Sequence, residues 1–241
     1  ALIAAWVAQP VNAPKLTAQE DHRLLLAELR ISGLRPGVNG MDPKAPNYAN
    51  TDEAKANPYN RIPELLRFDS GKPIRTAREW ATRRKEIVEH LDREIYGRTP
   101  PRTPKVRWEQ ETSEAGAVAG IAVQIKRWTG KLDNRAYPSV EVNMKLSLTL
   151  PAEGTAKRPV MLQFGFGSLS RRPDTPRPAP AWQKLLLEHG WGCAVLEPAT
   201  VQADHGGGLV EGVIGLANQG RRRKPEDWGA LKAWAWGASR A

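Results

Sequence analysis

Three apolar segments in the second half of the chain indicate the fold class: VEVNMKLSLTL at residues 140–150, PVMLQF at residues 159–164 and WGCAVLE at residues 191–197. In the first segment apolar and polar residues alternate, which is typical of a half-buried strand. The other two are nearly continuous apolar runs, which are typical of strands covered on both faces. Residues 180–189, closed by Gly190, predict a helix between them. We therefore expect a mixed sheet with helices on both faces.

Two helices are predicted in the first half of the chain, each from the pattern at its start. At residues 17–30, and again at residues 76–96, a threonine is followed three residues later by a glutamate, which is the pattern of a capping box. Gly97 is expected to end the second helix. The apolar face of that helix comprises Trp80, Ile87, Leu91 and Ile95.

An irregular segment and one further strand are also predicted. Residues 31–74 are rich in Gly, Pro, Asn and Asp and have no sustained periodicity, so we expect an ordered wrap over the surface. Residues 118–128 have the composition of a strand. Aromatic and apolar side chains are expected to hold the wrap to the body of the protein, namely Tyr48, Tyr59, Leu65, Leu66 and Phe68.

The chain of 241 residues carries a formal net charge of +10. Such a charge is compatible with nucleic acid, a membrane surface or an acidic substrate. The sequence has neither the aromatic–basic alternation of an RNA-binding sheet nor a zinc-finger pattern, so no nucleic-acid partner is predicted. The basic cluster at residues 83–85 lies within the second predicted helix and is interpreted as its solvated face.

The single cysteine, Cys193, lies in a strand segment, and we predict a buried, inert thiol. A lone cysteine cannot form an internal disulfide, and no Cys/His cluster has the spacing of metal ligands. We therefore expect no metal and no cofactor.

The first residues are apolar and uncharged and end in a triplet of small residues at 11–13. We interpret residues 1–13 as the remnant of a secretory signal peptide, with an apolar N-terminal strand as the alternative. Residues 14–72 then form the N-terminal helix and the irregular wrap. No run reaches ~18 apolar residues, so no membrane partner is predicted. The expected location is secreted or periplasmic.

Several segments carry a family resemblance, at residues 57–63 (NPYNRIP), 69–72 (DSGK), 77–87 (AREWATRRKEI), 94–97 (EIYG), 212–216 (GVIGL) and 228–240 (WGALKAWAWGASR). Together they resemble bacterial glucuronoyl esterases, which are α/β-hydrolases of the carbohydrate esterase class. The resemblance extends over about residues 45–241. Its most specific part is a Trp-rich helix predicted over residues 225–241, which resembles the helix that precedes the nucleophile strand in that family.

The resemblance implies a three-layer α/β/α sandwich of α/β-hydrolase type and a serine esterase without a cofactor. The implied substrate is the ester between 4-O-methyl-glucuronate on xylan and lignin alcohols. We expect the full-length protein to be a monomer. The family's catalytic serine, histidine and acid match no position here, so we expect residues 73–241 to be the N-terminal part of the hydrolase domain, truncated before the nucleophile elbow and inactive alone. The alternatives are an acetyl-xylan or general carboxyl esterase, or a non-catalytic carbohydrate-binding or structural module.

Truncation before that strand predicts an unpaired sheet edge and an exposed apolar helix face. The residues of that face are Trp228, Leu231 and Trp234.

The loop after residues 159–164 is the first candidate for substrate binding. In α/β-hydrolases the corresponding loop often donates a backbone N–H to the oxyanion hole. Gly165 and Gly167 would let the backbone approach a substrate closely, and Phe166 would form a wall of the pocket. The alternative is a tight turn in which these glycines have no further role.

The histidines differ in their expected roles. His205 follows the strand at residues 191–197, and we predict that it lines the same cleft. The remaining histidines, which we interpret as surface groups, are His22, His90 and His189.

No serine has the surroundings of a nucleophile, which requires a strained G-x-S-x-G turn between a strand and a helix. Ser168 and Ser170 come closest, but each lacks the glycine that should follow two positions later. We therefore assign no catalytic residue. The glycines at residues 206–208 are not followed by G-K-[ST], so no nucleotide site is predicted.

Overall fold

A five-stranded mixed sheet forms the centre of the structure. The computed structural model describes residues 16–55, 63–154, 157–166 and 179–241. Its strands follow the order β1-β2-β3-β5-β4, in which β4 and β5 are parallel and the other neighbours antiparallel. They are β1 (Val106–Val118), β2 (Ile121–Leu132), β3 (Asn143–Pro151), β4 (Val160–Phe164) and β5 (Gly192–Leu196).

Six α-helices are described, together with a π-helical turn at Asp92–Tyr96 and 3₁₀ turns at Glu53–Lys55 and Gly206–Gly208. Both predicted capping boxes are present, at Thr17 and at Thr76. The α-helices are α1 (Ala18–Glu28), α2 (Ala77–Leu91), α3 (Ala181–Glu188), α4 (Pro198–Val201), α5 (Gly212–Asn218) and α6 (Ala230–Ala238).

Helices pack on both faces of the sheet. On one face, Leu187 of α3 packs with Val123 and Cys193. On the other face, α4, α5 and α6 form the larger core with β3 and β5. The predicted α/β class and the layering of helix, sheet and helix are therefore confirmed. The largest fully buried residues of the second core are Met144, Leu196, Val201, Val213 and Ile214.

The sequence did not predict β1, which pairs with β2 in a long hairpin closed by Ala119 and Gly120, both with positive φ. β1 lies at one end of the strand order, and most of its residues are exposed. Only Val106, Trp108 and Val118 pack against the cores, so the strand lacks the sustained alternation that identifies a half-buried strand. The strand predicted at residues 118–128 corresponds to β2, whose bounds are shifted toward the C-terminus.

β4 differs from its prediction as a strand covered on both faces. Val160 is 45% exposed and Met161 is 47% exposed. The reason is the position of β4 at the other end of the strand order, where β5 is its neighbour. β5 lies inside the sheet and fulfils the prediction, since Cys193 is buried.

The basic cluster on α2 is not simply a solvated face. The side chain of Arg83 is only 11% exposed and forms ion pairs with Asp69 and Glu86. A guanidinium can be buried to this extent because two carboxylates compensate for the lost water. The interpretation is therefore wrong for Arg83, while Arg84 and Lys85 are exposed as expected.

The contacts of the wrap with α2 are polar. Asp69 accepts from Arg83, lies 2.6 Å from the Nε2 atom of His90, and donates its backbone N–H to Glu86 at 3.2 Å. Leu65 and Leu66, expected to hold the wrap, are instead mostly exposed. Two residues of the predicted apolar face are also exposed, Leu91 on α2 and Ile95 on its π-helical extension. Periodicity identifies the apolar stripe of α2 but not whether another element covers it. Tyr59, which was expected to hold the wrap, lies outside the described residues.

The Trp-rich helix is shorter than predicted, because α6 begins only after its N-cap residue Gly229. Trp228 and Trp234 are buried, whereas Leu231 is exposed. The expectation of an exposed face is therefore wrong for both tryptophans. Both belong to the core that α6 shares with α4 and α5.

Candidate functional site

The described candidate residues, Gly165, Phe166 and His205, follow β4 and β5 at the edge of the sheet where the carboxyl ends of these two strands meet. Gly165 follows β4 directly and is buried. Its backbone N–H donates to the carbonyl of Leu196 at 2.8 Å, so it is used within the sheet. An oxyanion donor from this loop would therefore come from a residue after Gly165.

Phe166 packs on Trp234 at this edge. The residue is 64% exposed, and its ring meets the Trp234 ring edge to face, with centroids 5.4 Å apart and an interplanar angle of 72°. Edge-to-face pairs at this separation are favourable beyond the area they bury. Trp234 comes from α6, so the pair ties the loop after β4 to the last helix.

Gln202 connects the pair of Phe166 and Trp234 to the loop after β5. It is 1% exposed, and its carbonyl accepts the indole N–H of Trp234 at 2.8 Å. Its side-chain amide donates to the carbonyl of Gly208 at 2.6 Å and accepts the N–H of Ile214 at 3.1 Å. The amide thus satisfies two backbone groups, one on each side of the turn into α5.

His205 lies on the loop that Gln202 holds. Its side chain is exposed, and its carbonyl accepts the N–H of Gly208 at 3.0 Å. A Cβ on Gly208 would lie 2.5 Å from the Cβ of Ala203, so close packing explains this glycine without a phosphate. Phe166 and His205 are therefore at the same sheet edge, connected through Trp234 and Gln202, and no contact between them is described.

Three of the sequence candidates fall outside the described residues: Gly167, Ser168 and Ser170. Their placement stays a prediction. Gln202 and Trp234 also shape this edge of the sheet and were not predicted from the sequence. The available signal was a lone glutamine that ends the otherwise largely apolar stretch PATVQ directly after a buried strand.

Cys193 is not a candidate nucleophile. Its side chain is buried between the sheet and α3, and burial raises the pKa of its thiol. A thiol that stays protonated is a poor nucleophile.

In the described ranges no group of three or more His, Cys, Asp or Glu side chains is placed to hold a metal ion. Nor is any helix of these ranges long and apolar enough to cross a membrane.

Two concavities open along the same edge of the sheet. One, of about 360 Å³, lies between the start of β3 and helices α4 and α5. The other, of about 570 Å³, lies between the chain before β1, the turn after β2 and the end of α5. The register places both on this edge, since Asn143 at the start of β3 pairs with Lys131 near the end of β2, and Leu146 pairs with Leu196 at the end of β5.

Solved structures with this arrangement point to one group of enzymes. A CE15 glucuronoyl esterase from Teredinibacter turnerae is 34% identical, with a TM-score of 0.78 over 92% of this chain and 56% of that chain. A glucuronoyl esterase from Solibacter usitatus is 31% identical, with a TM-score of 0.61 over 78% of this chain and 54% of that one. The chain is similar to CE15 glucuronoyl esterases. The resemblance and the α/β-hydrolase fold expected from the sequence are thereby confirmed.

A curated relative agrees with the structural matches. The 4-O-methyl-glucuronoyl methylesterase of Podospora anserina is 26% identical over 207 residues, which is 85% of this chain and 35% of that protein. No family model matches the chain. The chain thus spans about a third of the curated relative and just over half of the two solved esterases.

Proposed function

We propose that this chain is part of a serine esterase that hydrolyses glucuronoyl esters, with an ester of 4-O-methyl-glucuronate on xylan as the substrate. The observation that carries the proposal is the match to the Teredinibacter turnerae esterase, which extends over 92% of the chain at 34% identity. The positions of Phe166 and His205 after the parallel strands β4 and β5 support the proposal, since α/β folds bind ligands beyond the carboxyl ends of their strands.

In this proposal the described residues shape the site but do not supply its nucleophile. The N–H of Gly165 is bonded within the sheet, and Phe166 and Trp234 form an apolar wall. The loop after β4 would supply the oxyanion donor, and His205 would line the substrate cleft. Serine, histidine and acid would come from sequence outside this chain, in a triad in which histidine removes the serine proton and the carboxylate orients the imidazole.

The net charge of +10 supports an acidic substrate. A uronate carries a negative charge when its carboxyl group is free, and its ester is attached to a polymer that carries further uronates. We also propose that the protein is exported, because its polymeric substrate lies outside the cell; residues 1–13, interpreted as a signal remnant, are outside the described ranges.

Ester hydrolysis by the full-length protein tests this function. The substrates are a benzyl ester of glucuronate and, for comparison, an aryl acetate and acetylated xylan. We expect release of glucuronate with a kcat/KM at least about tenfold above that for either acetyl ester, a difference of about 1.4 kcal/mol in transition-state stabilisation. Hydrolysis of the acetyl esters alone would replace the proposal with an acetyl-xylan or general carboxyl esterase.

A further inference from the structure

We propose that the cleft between the chain before β1, the turn after β2 and the end of α5 is a subsite for a carboxylate-bearing residue of an acidic glycan. We call it the basic cleft. The identity of the glycan rests on the proposed function, whereas the binding of a carboxylate rests on the geometry of the cleft. Its cationic residues are Arg102, Lys105 and Arg135.

The basic cleft is built by segments that are fixed to one another. The N–H of Asp133, in the turn after β2, donates to the carbonyl of Lys105 at 2.9 Å. In the same turn, the side chain of Asn134 donates to the carbonyl of Val140 at 3.2 Å. Tyr137 lies against Gly220, where a Cβ would come 2.8 Å from the phenol oxygen, so the turn is packed closely on the chain after α5. The volume of about 570 Å³ is large enough for sugar residues.

Two of the three cations are available to a ligand. Arg135 is already bound by both oxygens of Asp133, at 2.9 and 2.6 Å, and that guanidinium lowers the pKa of Asp133 to about 2. Arg102 and Lys105 are exposed and take part in no ion pair with the described residues. The charge of Lys105 also contributes to the low pKa of Asp133, but it forms no ion pair there. A carboxylate in the cleft would therefore meet two cations without an ion-pair partner, of which arginine can bind it through two parallel hydrogen bonds.

Along the strand order, the second concavity lies between the basic cleft and the candidate site. Its lining includes polar side chains that can bond to sugar hydroxyls, namely Glu141, Asn143 and Glu211. Helix α5 begins at this concavity and ends at the basic cleft, and its seven residues span about 10 Å. In this proposal, a polymer that enters at the β4–β5 edge passes this concavity before it reaches the cations of the basic cleft.

This path favours a glycan over other anionic polymers. The concavity between the candidate site and the basic cleft contains two carboxylates, Glu141 and Glu211, which would repel a continuous phosphate backbone. A glycan with spaced carboxylates can place neutral sugars there and one acidic residue in the cleft.

Binding to the full-length protein tests the proposal. The probes are a xylo-oligosaccharide that carries glucuronic acid as the free acid and an unsubstituted xylo-oligosaccharide of the same length, titrated calorimetrically at low ionic strength. The variant is R102A/K105A. The control is R84A/K85A, which removes the same charge from the exposed side of α2. We expect the first variant to bind the acidic probe at least about fivefold more weakly, with the neutral probe and the control unchanged.

Several results would overturn the basic cleft: no binding of the acidic probe to the unmodified protein, no loss in R102A/K105A, an equal loss in the control, or tighter binding of a single-stranded nucleic acid with the same dependence on both cations. Turnover of a small glucuronate ester, which does not reach the cleft, separates this proposal from the esterase proposal. If that ester is not hydrolysed, the esterase proposal fails while the titration still decides whether the cleft binds an acidic glycan.

Discussion

The carboxylate of Asp21 and the guanidinium of Arg223 form a buried ion pair, with Oδ2 and Nη1 3.6 Å apart and side chains that are 4% and 9% exposed. The same carboxylate accepts the backbone N–H of Arg223 at 3.1 Å. Asp21 lies on α1 and Arg223 in the segment before α6, so the pair joins the first described helix to the second half of the chain. Part of the basic run at residues 221–224 thus has a structural role.

Replacement of Asp21 with alanine should lower the free energy of unfolding by about 3–5 kcal/mol, because it leaves the Arg223 guanidinium buried without its counter-ion. Urea unfolding of the full-length protein measures the change. The matched control is Glu28→Ala. Glu28 also lies on α1, but its ion pair with Arg222 is exposed, so its loss should lower the free energy of unfolding by only about 0–1 kcal/mol. Equal effects of the two substitutions would show that burial of the pair does not matter.

Gln202→Leu should destabilise the loop after β5, because the carbonyl of Gly208 and the N–H of Ile214 lose their partner in a buried region. Each unsatisfied buried group costs about 1–3 kcal/mol. Hydrogen exchange should accelerate at Ile214 and its neighbours, whereas exchange in the β1–β2 hairpin should not change. Gln110→Leu, at an exposed position of β1, serves as the control. Unchanged exchange at Ile214 in the Gln202 variant would contradict the role given to this amide.

Gly97→Ala should be more destabilising than Gly71→Ala, although both glycines have positive φ. A Cβ on Gly97 would lie 2.3 Å from the carbonyl oxygen of Asp227, whereas a Cβ on Gly71 meets nothing within 4 Å. Gly71→Ala should therefore cost only the strain of a positive φ in alanine, about 1 kcal/mol. Gly97→Ala adds a steric clash and should cost about 3 kcal/mol or more. Thermal unfolding of both variants measures the difference, and similar values would argue against close contact between the end of the π-helical turn and the segment before α6.

The carboxyl group of Asp133 should titrate near pH 2, since its pKa is lowered to about 2 mainly by hydrogen bonds from Arg135. A folded-state pKa below the ordinary value of about 3.9 means that the pair contributes stability above pH 4 and loses that contribution as the pH falls toward 2. Carbon-13 NMR of the carboxyl group follows the titration. Arg135→Ala should return the pKa toward 3.9; an ordinary pKa in the unmodified protein would contradict the pairing.

The features that the sequence predicted are those encoded locally. The capping boxes at Thr17 and Thr76 require only residues three positions apart, and the buried strand at Cys193 requires only a short apolar run. The features it missed depend on distant partners. Arg83 is buried because Asp69 approaches from the wrap, and Trp234 is buried because α6 shares a core with α4 and α5.

The candidate site shows the same division. The positions of His205 and Phe166 after two strands predict that both lie at one sheet edge, because β4 and β5 pair in parallel. The connection between them was not predictable, because Gln202 and Trp234 meet across 32 positions of the sequence.

Labelling of the full-length protein with a fluorophosphonate, in the presence and absence of a benzyl glucuronate ester, tests the central claim most directly. The account predicts one labelled serine, located by peptide mapping outside these 241 residues, and protection of that serine by the glucuronate ester more than by an acetyl ester. A labelled Ser168 or Ser170, or no labelled serine at all, would contradict it.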